Sequence, residues 1–532
     1  MANTTIPYRL RIGVTGHRQL SDHDALMAPV QDALNRVREL ASRADHLPVH
    51  LHIISPLAEG ADRLVARAAL ADENTVLSAP LPMPLEQYLE DFKTDESKSE
   101  FHELLDRATH VTVMPESETS DEAYEITGKF VVERSDVLIA LWDGKPARGQ
   151  GGTGAVVEHA RQAGEPVIWV SAEPPYRIEF EPGDGIDREP VDRIASFNKS
   201  SIGTSKMRSE IERESREIVN ESQTAEIEPA KIQPHLEWIL PYQTKADAIA
   251  QRYQALYFAF STVLFLTAAL AVIVIAGQLL FFPDYPKLIW IEVGLMVTLL
   301  AILYLGRRWQ LQRMWLSHRF LAERFRAALY IGVVDQEDSS PAGSESTRAG
   351  ASSDDWLGRA FEEVWRQRPR PLVDQGIDHL RTFLASAWVQ NQADYHQRAA
   401  HHNERRHRQI SYAIAALFGA TLLAAMLHAL EIGGHDEHGS VISVSNVLIM
   451  LALSLPALAG SLSGIRAQRE YERNAANFNA MAPVLRAIAD RIRRAPDVST
   501  LRLASLEAES TMLEENQDWF TVMKFHDFEL HV

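Results

Sequence analysis

The chain contains no cysteine, which excludes a disulfide framework, a thiolate metal site and a cysteine nucleophile. It is also short of positive charge. Its 53 lysines and arginines face 72 aspartates and glutamates, a formal net charge of −19. A general nucleic-acid binder needs a basic footprint that displaces counterions, so no nucleic-acid polymer is expected as a partner. Its 27 glycines among 532 residues exclude a collagen repeat, which needs glycine at every third position. Apolar residues make up 46%, too many for a wholly disordered chain. No basic stretch leads into an apolar core after Met1, so no secretory signal is expected there.

What the chain does have is long uncharged runs. Tyr257 to Phe282 (YFAFSTVLFLTAALAVIVIAGQLLFF) carries no charge and exceeds the ~20 residues that a bilayer-crossing helix needs. Leu288 to Leu305 is a second such run, with Glu292 near one end. Ile410 to Leu430 is a third and Val441 to Ile465 a fourth. Two close pairs of this kind are hard to place in one soluble core. Lys245 and Arg252 precede the first run, and Arg307, Arg308 and Arg313 follow the second. Arg405, Arg406 and Arg408 precede the third, and Arg466, Arg469 and Arg473 follow the fourth. The loop between the third and fourth (EIGGHDEHGS) has no lysine or arginine. Basic flanks stay in the cytoplasm, so a multi-pass protein of the cell inner membrane is expected, with both termini cytoplasmic.

The two pairs read as copies of one unit. Each has a basic approach, a span, a short outer loop, a second span and a long polar exit helix. The exits GRRWQLQRMWLSHRFLAERFRAAL and GIRAQREYERNAANFNAMAPVLRAI both keep apolar residues at helical spacing. Ser339 to Asp354 (SSPAGSESTRAGASSD) reads as a flexible linker. Trp356 to Trp388 reads as helix broken near Pro369 and Pro371, and Ser205 to Ser222 as a charged helix.

Before about Ala172 the pattern changes to alternating strands and helices. Strands are expected at Arg9–Val14, Val49–Ile54, Thr75–Ser78, His110–Met114, Asp136–Leu141 and Pro166–Val170. Helices are expected at Asp24–Arg43, Arg63–Ala71, Leu85–Ala108, Tyr124–Arg134 and Gly154–Gly164. This order predicts an open parallel, Rossmann-like α/β sheet covered on both faces. Ligands of such sheets sit beyond the carboxyl ends of the strands, which draws attention to three turns. The first is Thr15-Gly16-His17-Arg18, whose glycine allows a tight turn. The second is Glu59-Gly60-Ala61-Asp62-Arg63, which opens a helix and offers its N–H groups to an anion. The third runs from Trp142-Asp143 to Gly151-Gly152-Thr153-Gly154 and opens a helix with Glu158 about one turn in. It is neither a Walker A loop nor a standard dinucleotide fingerprint, since no Lys-Ser/Thr follows the glycines. Taken singly, each turn has an ordinary structural explanation. Together, after strands of one sheet, they predict a nucleotide-type site.

At these residues the chain resembles the SLOG superfamily, which includes LOG nucleotide phosphoribohydrolases and DprA-type proteins. LOG proteins carry a strand followed by PGGxGTxxE. Here the stretch is Ser135 to Gly144, then Gly151-Gly152-Thr153-Gly154 and Glu158. WDGKPARGQ lengthens the approach, and the Arg-Lys pair of LOG enzymes has no clear counterpart; Gly128-Lys129 and Glu133-Arg134 are the nearest. The apolar half resembles SLATT two-span modules, and the ending Glu515 to Trp519 with Phe525-His526-Asp527 is similar to their tail. The resemblance implies a sensor coupled to a membrane effector in prokaryotic antiviral defence. Its signal would be a nucleotide derivative, such as an ADP-ribose derivative or a cyclic oligonucleotide, with no other cofactor and no metal. The alternative it implies is a membrane-anchored nucleotide N-glycosidase with Glu158 as the catalytic carboxylate.

The resulting organisation is a sensing domain at 1–172 and a linker with a helical segment at 173–245. Two-span units follow at 246–335 and 396–485, separated by cytoplasmic helices at 336–395, and the tail is 486–532. Four spans are too few for a wide lumen, so a homo-oligomer is expected. Thr262, Thr267, Gln278, Glu292, Thr298, Thr421, His428, Ser454 and Ser461 are polar residues within the spans. Each is either a pore-facing group or a helix-packing contact. Ala457, Ala459, Gly460, Ser461 and Gly464 suit close helix approach. A transporter is disfavoured, because the repeat is not inverted and no charge lies mid-membrane.

Overall fold

Strand β1 (Tyr8–Gly16) is the centre of a seven-stranded sheet in the computed structural model. The structure describes residues 4–41, 47–146, 151–183, 185–336, 355–432 and 443–524. The linker expected over 339–354, most of the EIGGHDEHGS loop and the tail residues Phe525-His526-Asp527 lie outside the described residues. The chain divides into two units. The first comprises 1–201 with 337–367, and the second the remainder.

The sheet also contains β2 (Val49–Ile54), β3 (Val76–Leu81), β4 (His110–Val113), β5 (Val137–Trp142), β6 (Val167–Ser171) and β7 (Ile178–Glu181). Their order is β4-β3-β2-β1-β5-β6-β7, and all pairs are parallel except β6 with β7. All six residues of β5 are buried, as expected for a strand covered on both faces. From β1 the chain builds outward to β4, then restarts on the other side with β5. The β1/β5 boundary is therefore a topological switch point, where a crevice opens beyond the strand ends.

Helix α1 (His23–Ala41) buries Leu26, Val30, Leu34 and Val37, a stripe at helical spacing. Helix α2 (Ala61–Ala69) follows Gly60, and helix α5 (Ser120–Arg134) is capped by Thr119, whose Oγ1 accepts the Glu122 N–H at 3.2 Å. The helix expected over Leu85–Ala108 is divided. It consists of α3 (Leu85–Tyr88), a 3-10 turn (Leu89–Asp91) and α4 (Asp95–Asp106). Phe92 leaves the helical path to bury its ring at 5.0 Å from Phe101 and 5.1 Å from Tyr88. Thr94 then starts α4 by accepting the Ser97 N–H at 3.1 Å. Helix α6 (Thr153–Gln162) follows β5.

The first unit does not stop at Ala172. It continues through β7 and α7 (Arg188–Lys199), which buries Val191, Ile194 and Phe197. The Asn198 side chain accepts from the Ile6 N–H at 2.9 Å and donates to the Ile6 carbonyl at 2.8 Å. A later segment also belongs here. Helix α12 (Asp355–Trp365) packs on β1 and α7, so the expected 336–395 segment is split between the units.

The second unit is helical. It contains α8 (Thr204–Thr224), α9 (Pro229–Phe281), α10 (Ile289–Arg308), α11 (Leu311–Gly332) and α13 (Ile377–Phe383). A π-helical turn (Leu384–Gln390) leads into α14 (Asn391–Ala429), followed by α15 (Val444–Arg469), α16 (Tyr471–Arg494) and α17 (Val498–Lys524). Four of these helical stretches are long and apolar enough to cross a membrane. Their apolar portions lie where the four runs were expected. Helix α9 packs against α10 and α15, and α15 against α14.

The two pairs of apolar helices share a backbone detail. Both exit helices start after a non-glycine residue in the left-handed region, Gln310 before α11 and Glu470 before α16, each at φ 47°. Three of the polar residues of the apolar helices bond within their own helix, and the Ser454 hydroxyl is buried without a partner. Thr262, Thr298 and Thr421 donate to carbonyls four residues earlier in their own helices, at 2.6, 2.8 and 2.8 Å. Ser461 instead donates across to the Phe265 carbonyl at 2.7 Å, and Asn446 to Leu280 at 3.3 Å. A Cβ on Gly464 would come within 2.4 Å of the Phe265 ring, so this glycine allows α9 and α15 to touch. Gly460 has no atom within 4 Å of a built Cβ and plays no such part in the described contacts.

Candidate functional site

The three expected turns meet because two glycines allow close approach. A Cβ on Gly16 would lie 2.3 Å from Ala61 Cβ and 2.7 Å from the Leu141 carbonyl. Gly60 adopts φ +82°, and a Cβ there would meet the carbonyl oxygens of Arg18 and His17 at 2.4 and 2.5 Å. The His17 N–H donates to the Leu141 carbonyl at 3.0 Å, and the His17 carbonyl accepts the Ala61 N–H at 3.0 Å. The ends of β1 and β5 and the start of α2 are thereby fixed together.

Over this junction lies a cleft of about 800 Å³, within the range of small-molecule sites (~300–1,000 Å³). Thr15, Gly16, His17, Arg18, Asp62, Trp142, Asp143, Gly151, Gly152, Thr153 and Gly154 all line it. Four residues expected at the site do not. Glu59 accepts a short hydrogen bond from Ser97. Gly60 acts through its backbone shape. Arg63 is buried, donating to the Leu57 carbonyl at 3.0 Å and to Glu100 at 3.0 Å, with its guanidinium 4.5 Å from the Phe92 ring centre. It anchors α2 to α4. Glu158 is 58% exposed and bonds Gln162 at 3.3 Å. Helix α6 turns Val156, Val157 and Ala160 inward, and at ~3.6 residues per turn Glu158 falls on the opposite face.

The start of α6 forms one wall of the cleft. Gly152 caps this helix with no side-chain capping bond, and Gly152, Thr153 and Gly154 line the cleft, so the positive end of the helix dipole lies at its wall. Gly151, at φ +79°, allows contact with α5, since a Cβ would lie 2.8 Å from the Glu125 nitrogen. Across the cleft, His17 Nε2 lies 3.1 Å from the Asp143 nitrogen and 3.1 Å from its Oδ1. Lys145 Nζ lies 2.9 Å from Asp143 Oδ2. The Trp142 indole donates to the Lys145 carbonyl at 2.9 Å, and the Trp169 indole to the Trp142 carbonyl at 2.8 Å, which fixes the turn.

Sequence reasoning missed a second group of residues. Asp91 ends the 3-10 turn, and Tyr124 lies in the second turn of α5. The Tyr124 hydroxyl makes a short hydrogen bond to Asp91, and Arg18 lies 3.4 Å from Asp91 with its guanidinium 4.8 Å from the Tyr124 ring centre. Tyr88 is buried beside them and donates to the Pro56 carbonyl at 3.2 Å. Only the aromatic content of Leu85–Phe101 hinted at this cluster.

The acids of the cleft differ in charge. Burial pushes the Asp62 carboxyl up to about 7, against a hydrogen bond from the Ala58 N–H and the nearby Arg18 and Arg63. Burial also opposes ionisation of Asp143, but hydrogen bonds from Lys145 and His17 outweigh it and hold the carboxyl at about 2. Burial raises the Tyr124 hydroxyl to about 12, with its bond to Asp91 adding to the rise. The cleft thus offers a carboxyl that is about half protonated at neutral pH, an ionised carboxylate, an arginine, a lysine and a helix N-terminus. Among the described residues no group of three or more His, Asp or Glu is placed to hold a metal ion. No protein-family model matches the sequence, and no curated protein is similar enough to count as a match.

Proposed function

We propose that this protein is a membrane effector that senses a nucleotide-derived signal in its α/β unit. The observation that carries the reading is the 800 Å³ cleft at the β1/β5 switch point, bounded by the uncapped α6 start and by Arg18, Asp143 and Lys145. The phosphates of an ADP-ribose derivative or cyclic oligonucleotide fit the α6 amides, and its sugar hydroxyls fit Asp143. The apolar helices then lie in the cell inner membrane with both termini cytoplasmic, and copies assemble into a pore that the signal opens. In a prokaryote such opening would arrest an infected cell. The apolar window of α10 has none of its residues buried within the chain, which supports lipid or a second copy as its cover. Glu158, the carboxylate used by the N-glycosidase reading, lies outside the cleft, which favours binding over hydrolysis.

Gating requires the ligand to prefer the open arrangement. Moving a closed-to-open ratio from 1:99 to 99:1 takes about 5.5 kcal/mol of differential binding, which several subunits can share. The test is dye release from liposomes carrying the full-length protein, with ADP-ribose derivatives and cyclic oligonucleotides added singly. Release dependent on one of them, together with its thermal stabilisation of the protein, is expected. Free base released from nucleoside monophosphates, with no leakage, would overturn the reading in favour of the enzyme.

A further inference from the structure

A second cavity, of 260 Å³, lies entirely within the helical unit. It is smaller than the ~300–1,000 Å³ of sites for drug-sized ligands, and so suits a headgroup-sized molecule and not a nucleotide. Its height is set by residues that begin or end apolar helices. Phe258 stands at the start of the apolar part of α9, and Arg469 ends α15. The Arg469 guanidinium lies 4.2 Å from the Phe258 ring centre, and Gln468 beside it makes a short hydrogen bond to the Tyr257 hydroxyl. The cavity therefore sits at the polar boundary of the spans, where arginine and aromatic residues anchor helices.

Its walls carry both signs of charge. Arg319 and Arg469 line it, as do Glu323, Glu470, Trp315 and Tyr471. Glu470 is the informative residue. It is the left-handed hinge between α15 and α16. Its Oε1 faces Arg473 at 3.8 Å, while its Oε2 is buried with no hydrogen-bond partner. A buried carboxylate oxygen needs a donor. An N–H-bearing cation meets that need, and aromatic walls add cation–π attraction. The arginines in turn match a phosphate.

We propose that this cavity binds a zwitterion in which a phosphate and a primary ammonium are separated by a short linker, supplied by the ethanolamine phospholipid headgroup of the bilayer. The phosphate lies against Arg469 and Arg319, and the Glu470 side chain turns its orphaned Oε2 into the cavity to accept from the ammonium. A choline headgroup carries no N–H and leaves that oxygen unsatisfied. A glycerol headgroup carries no cation. The inference needs only that the apolar helices cross a bilayer, and is independent of what the α/β cleft binds.

The experiment uses the full-length protein, purified in detergent and delipidated. Its thermal unfolding is followed with short-chain phosphatidylethanolamine, phosphatidylcholine, phosphatidylglycerol, free phosphoethanolamine and inorganic phosphate. The ethanolamine lipid is expected to raise Tm well above the other lipids, and native mass spectrometry to show it retained. Glu470→Gln is expected to abolish that selectivity and to leave nucleotide binding unchanged. If that variant does not fold, the ethanolamine-versus-choline comparison on the natural chain decides alone. Equal stabilisation by ethanolamine and choline lipids overturns the proposal. So does selectivity that survives in Glu470→Gln, or stabilisation by free phosphoethanolamine or inorganic phosphate without any by the lipid.

Discussion

Arg359 grips Asp136 with both terminal nitrogens, Nη2 at 2.6 Å from Oδ1 and Nη1 at 2.8 Å from Oδ2. The same Nη1 donates to the Tyr8 hydroxyl at 3.2 Å. Nearby, Arg9 Nη2 lies 2.8 Å from Glu363 Oε2. Arg359 and Glu363 belong to α12, which in sequence separates the two pairs of apolar helices. Asp136 immediately precedes β5, and the far end of β5 is Trp142 in the cleft. One strand therefore joins the α12 anchor to the cleft.

Breaking that anchor has a calculable cost. The Arg359 and Asp136 side chains are only 8% and 11% exposed, and removing one member of a buried pair typically costs about 3–5 kcal/mol. Arg359→Ala is expected to speed hydrogen exchange in β1 and β5 and to lower the stability of the α/β unit by about 3 kcal/mol. If α12 also carries the signal, nucleotide affinity persists while ligand-dependent leakage is lost. Affinity and leakage falling in strict proportion would reject α12 as the coupler.

The carboxyl of Asp62 gives the site a pH signature. Its folded pKa of about 7 lies above the ordinary aspartate value of 3.8, so between those pH values the native state holds a proton that the unfolded state has lost. Stability from this group is complete below pH 4 and declines as pH rises toward 7, because the charged form must then be buried. Affinity for an anionic ligand is expected to fall over the upper part of the same range, as a negative charge appears at the cleft floor. Asp62→Asn should flatten both profiles, measured by titration calorimetry and by denaturant unfolding from pH 5 to 8. A variant with an undiminished pH dependence would assign the effect to another group.

Much of this fold was legible from the chain, for identifiable reasons. β2 was placed at its observed ends, Val49–Ile54, because short apolar runs between turn residues have few alternatives. The four apolar helices were equally plain, since nothing else explains runs of that length. The destination of α12 was not. Its amphipathic sequence (DWLGRAFEEVW) shows that one face is buried, and not which surface buries it. The cluster of Asp91, Tyr124 and Arg18 was hidden for the same reason, as its members come from three elements far apart in sequence. The side on which Glu158 falls was not legible either, since the direction in which α6 leaves the glycines decides which face meets the cleft.

Gly60 offers a direct test of how the turns are held. At φ +82° any side chain is strained, and a Cβ would overlap the Arg18 and His17 carbonyls. Backbone strain of this kind costs about 1–3 kcal/mol, before the overlap is counted. Gly185, at φ +83°, has no atom within 4 Å of a built Cβ, so it reports the strain alone. Gly60→Ala is expected to lose more stability than Gly185→Ala and also to lose nucleotide binding, which Gly185→Ala retains. Equal effects of the two in thermal unfolding would mean that the close approach to the His17 and Arg18 carbonyls contributes nothing.

The cleft's charged groups should separate cleanly in a binding assay. A hydrogen bond to a charged group contributes about 1.5–3 kcal/mol, so Arg18→Gln is expected to weaken a phosphate-bearing ligand by roughly 10- to 150-fold. Lys145 is already paired with Asp143, and its removal has two opposed effects: a cation is lost, and the carboxylate is freed to accept sugar hydroxyls. Lys145→Ala should therefore cost less than Arg18→Gln. Glu158→Gln should change affinity less than twofold, because its carboxylate faces solvent beside Arg161 and Gln162. A large loss of affinity in Glu158→Gln would show that ligand binding rotates α6, or reaches beyond the cleft, and would return this residue to the site.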